Sequence, residues 1–443
     1  MRVEHDLLGD REIESDALYG IHTLRAAENF PVVFRKTNIK LIRAVATVKK
    51  AAALAHAELD KERADIYRAI AAACDKVIAG GTDEAFVVDA LQGGAGTSTN
   101  MNVNEVIANI ALELCGKPYG DYSYIHPLDD VNRGQSTNDV YPTALRIAAI
   151  GELRRLSEAC AKLQESLQVC ENKYGDIKKL GRTELMDAVP ITLGEEFGAY
   201  AQAISRDRWR LYKVEERLRQ VNLGGTAVGT STATDKRYRF LVIEKLRELT
   251  GYGLAAAEYP MDPTQNCDVF VEVSGLLKSM AVNLMKISGD LRLMNSGPRG
   301  GLGEIRLAPL QAGSSIMPGK VNPVIPECVM QIAMRVIAND TAITLAAAHG
   351  EFELNAFMPL IADSLLESLH LLERAASILR EKCVELLTPD QDRCRELLEK
   401  SLAFAASYVP QLGYDTVSDI IKRAGGEPSE VRRMLDEAAG KTK

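Results

Sequence analysis

Residues 265–295, QNCDVFVEVSGLLKSMAVNLMKISGDLRLMN, decide the fold. Val273, Leu277, Met280, Leu284, Ile287, Leu291 and Met294 recur there at alternating four- and three-residue steps. Such a repeat draws one apolar seam along a continuous helix, the signature of helices packed nearly parallel or antiparallel. The same rhythm joins Leu156, Cys160, Leu163, Leu167 and Cys170 in a helix expected over 139–173. It returns in Leu365, Leu369, Leu372, Ala376, Leu379 and Cys383 over 360–386, and a further long helix is expected over 191–220. Helices of ~30 residues are ~45 Å long, more than one subunit of this size covers, so their burial points to self-association. The expected fold class is all-α: a long central helical bundle over 136–388, an N-terminal mostly helical domain over 1–135, and a small C-terminal helical domain over 389–443. Cysteines and Met280 on the seams read as core filler.

Composition narrows the function classes. The chain has 443 residues, 46% hydrophobic, 26% charged and 5% aromatic, with a net charge of −8. That balance fits a soluble, helix-rich protein and disfavours a nucleic-acid or anionic-membrane surface, which needs clustered cations. No apolar run is long enough to span a bilayer. The start, MRVEHDLLGDREIE, is acidic and lacks the apolar core of a signal peptide. The 8 cysteines form no CxxC pair, which points to reduced thiols in a cytoplasm. The 6 histidines never fall at metal-ligand spacing, so no metal is expected.

Outside the bundle, residues 1–40 read as irregular, with VVF (32–34) the only hint of a strand. Helices are expected over 40–60 and 62–79, and another resumes near Val103. Gly93, Gly94 and Gly96 lack the preceding strand and βαβ context of a dinucleotide fingerprint. Residues 117–138 read as irregular again.

Four loops are rich in groups that bind carboxylates: Thr97-Ser98-Thr99-Asn100, Gln135-Ser136-Thr137-Asn138, Gly181-Arg182-Thr183-Glu184, and Ser314 to Asn322. Each is expected just before a helix, where free N–H groups and the positive dipole end favour anions. One such cluster is usually only a helix cap. Four on one long-helix scaffold point to a site for a small dianion. The last loop, GSSIMPGKVNPVIPE (313–327), brings Ser314, Ser315, Lys320 and Asn322 between glycines and prolines, and has the make-up of a lid over an anionic substrate.

These stretches carry a resemblance. GSSIMPGKVNP (313–323) closely resembles the signature loop of the aspartase/fumarase superfamily, and the chain is most similar to the aspartases within it. GGAGTSTNMNVNEV (93–106), VNRGQSTNDVYPTA (131–144), GRTELMDAVPITLGEEF (181–197), NLGGTAVGT (222–230) and DLLGDREIESDALYGIHTLRAAENF (6–30) match its other regions in order. The resemblance implies reversible anti β-elimination of ammonia from L-aspartate to fumarate, by a homotetramer with three-subunit sites, acting on a small dicarboxylate without metal or organic cofactor. It implies Ser314 as base. It also implies Thr97, Ser136, Thr137 and Ser315 as donors to the carboxylate that takes up charge as an enediolate. Thr183, Lys320 and Asn322 would hold the other carboxylate, and Asn138 the leaving amine.

One residue departs from the family pattern. Glu184 stands where His or Gln is usual, and in hydratases that His is paired with a glutamate matching Glu327. Two facing acids would titrate as a coupled pair. Alternatively, Glu184 could hold the substrate ammonium directly, or point into solvent. His126 matches a second, non-catalytic dicarboxylate position of hydratases, and Arg25 is either a carboxylate contact or a surface charge. The alternative functions are fumarate hydration, elimination from another substituted succinate, and a non-catalytic helical scaffold.

Overall fold

All seven seam residues of the stretch quoted above are buried, within the helix Asp268–Met294. The computed structural model describes residues 1–232 and 234–441. The other long helices are Thr137–Lys173, Leu193–Leu218, Val324–Ala348 and Met358–Leu379. The longest has 37 residues, a length of ~55 Å. Their seams at Leu156, Cys160, Leu163, Leu365, Leu369 and Leu372 are fully buried.

The chain forms two compact units, Met1–Ser157 with Trp209–Ser279 and Arg335–Leu372, and Glu158–Arg208 with Met280–Met334 and Glu373–Lys443. Each long helix contributes residues to both, so this partition is discontinuous, unlike the consecutive segments 1–135, 136–388 and 389–443. In the first unit the alanine-rich helices Ile39–Leu59 and Ala64–Ala79 pack with Thr97–Leu114 and with Lys236–Thr250, which buries Tyr238, Val242, Ile243 and Leu246. In the second, Phe404, Tyr408, Val417, Ile420, Val431 and Leu435 form a small core among the C-terminal helices.

Residues 1–40 are more regular than their sequence suggests. Arg2–Asp6 pairs with Gly9–Ile13 as an antiparallel hairpin, followed by the helix Ile21–Asn29. The first strand has no apolar alternation because its buried residue is Glu4, which accepts from Ile21 N (2.8 Å) and Tyr122 Oη (3.1 Å). VVF is not a strand. Its side chains are exposed, and Val33 N and Phe34 N both donate to Asp89 Oδ2. The helix expected near Val103 begins earlier, at Thr97.

The loop Gly181-Arg182-Thr183-Glu184 does not precede a helix. Lys178–Thr183 pairs with Met186–Thr192, and Glu184 and Leu185 form the two-residue turn, with φ of 55° and 65°. Both values are those of a type I′ hairpin, which suits the twist of the strands but is normally reserved for Asn and Gly. No Asn-Gly or Asp-Gly signal marks it, so the sequence does not advertise the turn.

Among the described residues, no helix is long and apolar enough to cross a membrane.

Candidate active site

Ser136 and Asp139 cap the start of the Thr137–Lys173 helix reciprocally. Ser136 N donates to Asp139 Oδ1 (2.9 Å), and Ser136 Oγ accepts from Asn138 N (3.2 Å). This is a variant of the capping box, with Asp in the third helical position and the cap hydroxyl on the N–H of the second. The other Asp139 oxygen accepts from Gly224 N (3.0 Å) and Thr226 N (2.9 Å), tying the box to the NLGGTAVGT segment. Burial raises the Asp139 carboxyl to about 6, against these backbone donors and the charge of Lys49.

Pro142 strengthens the same joint. Lacking an N–H, it leaves the Asn138 carbonyl four residues earlier without its helical partner. Asn222 Nδ2 donates to that carbonyl at 3.0 Å. Asn138 Nδ2 in turn donates to Ala227 O at 2.7 Å. Thr137 is buried, while Ser136 and Asn138 are half-buried.

Thr97 is exposed at the first turn of its helix, and its Oγ1 donates to Gly94 O (2.7 Å). Gly96 before it has a φ of 95°, and a Cβ there would meet the Tyr141 ring at 2.3 Å. Only glycine lets the Thr97 and Ser136 segments approach through Tyr141. Asn100 Nδ2 and Asn132 Oδ1, 3.1 Å apart, join the two segments directly.

The 313–323 loop is closed at its base. Gly313 N donates to Lys320 O (3.0 Å), and Asn322 Nδ2 to Gly313 O (2.8 Å). A Cβ on Gly313 would lie 2.3 Å from Lys320 O, so this closure requires glycine. Inside the loop, Ser314 Oγ accepts from Ile316 N (3.2 Å) and Met317 N (2.9 Å). Two N–H donors on one hydroxyl oxygen favour its alkoxide form. Ser315 and Lys320 are exposed.

Thr183 and Glu184 are exposed at the hairpin tip. Arg182 beside them donates to both oxygens of Glu304, at 3.0 and 3.2 Å. Glu304 is fully buried and also meets Lys179 Nζ at 3.0 Å. Glu327 pairs with the cation Arg292 at 3.4 Å. His126 Nδ1 accepts from Leu128 N and Asp129 N, so it caps a turn. Arg25 clamps Asp6 with two bonds of 2.8 and 2.9 Å. Among the described residues, no three His, Cys, Asp or Glu side chains group as metal ligands.

Residues 9–338 match the lyase family. The chain is 45% identical to the aspartate ammonia-lyase of Escherichia coli K12, over 99% of this chain and 94% of that protein. It is 48% identical to that of Pseudomonas aeruginosa over the same shares. The chain belongs to the lyase family. Its fold matches a fumarate lyase:delta crystallin structure from Brucella melitensis with a TM-score of 0.94, at 47% identity, over 99% of this chain and 98% of that one. It also matches a class II fumarase from Schistosoma mansoni with a TM-score of 0.93, at 31% identity, over 99% and 95%.

Several residues of this lyase that organise the site were not singled out from the sequence. Asp139 was detectable, because S-T-N-D has capping-box spacing. Lys49, Asn132 and Glu304 carry no local signal, since each looks like an ordinary polar residue until tertiary packing buries it or its partner. Arg182, though within a donor loop, has nothing there to mark Glu304 as its partner.

Proposed function

We propose that the chain catalyses reversible anti elimination of ammonia from L-aspartate to give fumarate. Ser314 takes the proton from the carbon next to one carboxylate, and that carboxylate becomes an enediolate. Ammonia leaves the neighbouring carbon. Thr97, Ser136, Thr137 and Ser315 donate to the enediolate oxygens. As neutral donors they bind more strongly as charge develops, which lowers the barrier rather than merely holding substrate. Thr183, Lys320 and Asn322 hold the second carboxylate, and Asn138 receives the amine.

The observation that carries this reading is the pair of backbone N–H groups on Ser314 Oγ. A serine hydroxyl is a poor base, and these donors with the nearby cationic Lys320 lower the cost of its alkoxide. The relatives named aspartate ammonia-lyase, matched over 99% of the chain, support ammonia as the leaving group. Glu184 at the hairpin tip supports an amine substrate too, since a carboxylate there suits an ammonium better than a hydroxyl.

In this reading the enzyme is a homotetramer with composite sites. Trp209, Val282, Leu293, Met334 and Leu345 are exposed on the long helices and supply apolar faces for subunit contacts. All eight cysteines are free, which fits a reducing cytoplasm. The test is formation of the fumarate absorbance band, first from L-aspartate, then from L-malate. Fumarate from malate alone would make the chain a hydratase. Fumarate from neither would favour another substituted succinate or a non-catalytic scaffold. Glu184→Gln should keep aspartate turnover if residue 184 only hydrogen-bonds the amine, and lose it if the charge is needed.

A further inference from the structure

Beneath Thr97 and Ser136 lies a buried polar cluster that the proposed reaction leaves unused. Lys49, on the Ile39–Leu59 helix, is 0% exposed, and its Nζ donates to Asn132 Oδ1 at 2.7 Å. The same oxygen accepts from Asn100 Nδ2 (3.1 Å) and Asn104 Nδ2 (3.2 Å). Asn132 Nδ2 donates onward to Gln135 O at 3.2 Å, one residue before Ser136. Asn100 lies three residues after Thr97 on one helix. A single amide therefore holds both donor segments in register, and the Lys49 amine holds that amide.

The cluster has spare acceptors. Asn100 Oδ1, Asn104 Oδ1 and Gln135 Oε1 are buried without a hydrogen-bond partner. Unpaired buried acceptors are unfavourable, and two on side chains that touch Asn132, with a third on the adjoining Gln135, call for an explanation. None of these oxygens accepts a hydrogen bond from Lys49 Nζ, so Lys49 reaches them only through an enclosed water or through its field. The charge of an ammonium stabilises their lone pairs more than a neutral amine does.

The surroundings leave the charge of Lys49 finely balanced. Burial pulls its pKa from 10.5 down to about 7, opposed chiefly by the charge of Asp139 on the Thr137–Lys173 helix, while Cys74 on the Ala64–Ala79 helix would oppose it only as a thiolate. Burial raises the pKa of the Cys74 thiol, keeping it neutral. It does the same for Tyr238 of the Lys236–Thr250 helix, which faces Asp139. A negative charge arriving at the Thr97 and Ser136 donors would tip the balance toward the ammonium.

We propose that Lys49 is a positioning residue for the donor array, and that binding of a dicarboxylate draws a proton onto it. This rests on the reading of Thr97, Ser136 and Thr137 as a carboxylate site. The proton comes from solvent and adds to the neutral amine, with no bond in the ligand changed. Lys49 touches Asn132, not substrate, so its effect reaches the reaction only through the geometry and field of the donors.

The test uses the full-length wild-type enzyme and succinate, a dicarboxylate that cannot eliminate. Calorimetric titrations at pH 8 in two buffers of different ionisation enthalpy should show uptake of up to about one proton per site, with Kd rising up to about tenfold per pH unit above 7. Lys49→Met should weaken binding and abolish both the uptake and the pH dependence. Lys49→Arg should bind succinate with no uptake, since a guanidinium keeps its proton. If Lys49→Met does not fold, the wild-type and Lys49→Arg titrations still decide. Buffer-independent heats in the wild type, or uptake that persists in either variant, would overturn the proposal. Failure of the functional reading shows separately: no fumarate from aspartate by the wild type sinks that reading while leaving the succinate linkage to be read on its own.

Discussion

Met317 N donates to Ser314 Oγ at 2.9 Å, and Ile316 N reinforces it at 3.2 Å. The hydroxyl is thus aimed into its own loop's backbone donors, where an alkoxide would be held. Ser314→Ala is expected to lower kcat for aspartate by at least about 100-fold while leaving the circular dichroism unchanged. A rate within tenfold of wild type would remove Ser314 as the base.

Gly313→Ala tests the closed base of that loop. The added Cβ would sit 2.3 Å from Lys320 O, so the Gly313–Lys320 hydrogen bond must open. Turnover should fall with little change in unfolding midpoint, because the loop is largely exposed. An unchanged rate would mean that closure is not needed for catalysis.

Glu304 is the anion on which Arg182 and Lys179 converge. Glu304→Ala takes from Arg182 the carboxylate it pairs with, leaving the Leu180 carbonyl, and leaves Lys179 to Glu196 and Met294. Stability should therefore drop by about 3–5 kcal/mol, read as a lower urea midpoint. Activity should drop too, since Arg182 anchors the strand leading to Thr183. Loss of neither would make the network idle.

Leu185 occupies a left-handed turn position at a φ of 65°. A non-glycine residue there is strained by roughly 1 kcal/mol. Leu185→Gly should therefore raise the thermal midpoint, and Leu185→Val should lower it. The reverse order would show that the turn is held by contacts of the leucine side chain.

Glu105 sets an expected pH dependence. It is buried and accepts from Gly20 N, Thr23 N and Thr23 Oγ1 through one oxygen and from His22 N through the other. Burial nonetheless raises its pKa to about 7. Its folded pKa lies above the unfolded value, so its favourable contribution is complete below about pH 4 and is lost as pH rises through about 7. Glu105→Gln should make the unfolding midpoint less sensitive to pH between about 5 and 8. An equal slope in both proteins would mean that Glu105 does not titrate in this window.

The long helices were legible because their signal is local and repeated. A four-three apolar rhythm specifies a buried seam whatever lies opposite. Ser136-Thr137-Asn138-Asp139 carried its own cap for the same reason. The hairpin at 178–192 was hidden, since Glu184 and Leu185 are poor residues for the turn they make. The first strand was hidden because its inward residue is a carboxylate, Glu4, buried by hydrogen bonds rather than by apolarity.

By itself the sequence determined the helical framework, the four donor-rich stretches and the family to which they belong, because each is written in neighbouring residues at fixed spacings. That one stretch is a hairpin and another the first turn of a helix was not written there. Only the tertiary structure decided that Lys49 lies under two of those loops, that Asn222 completes the carbonyl Pro142 leaves open, and that Glu304 anchors Arg182. Those are encounters between residues up to 122 positions apart. A buried charge or orphaned carbonyl acquires its meaning from whichever distant group satisfies it, and no local pattern carries that information.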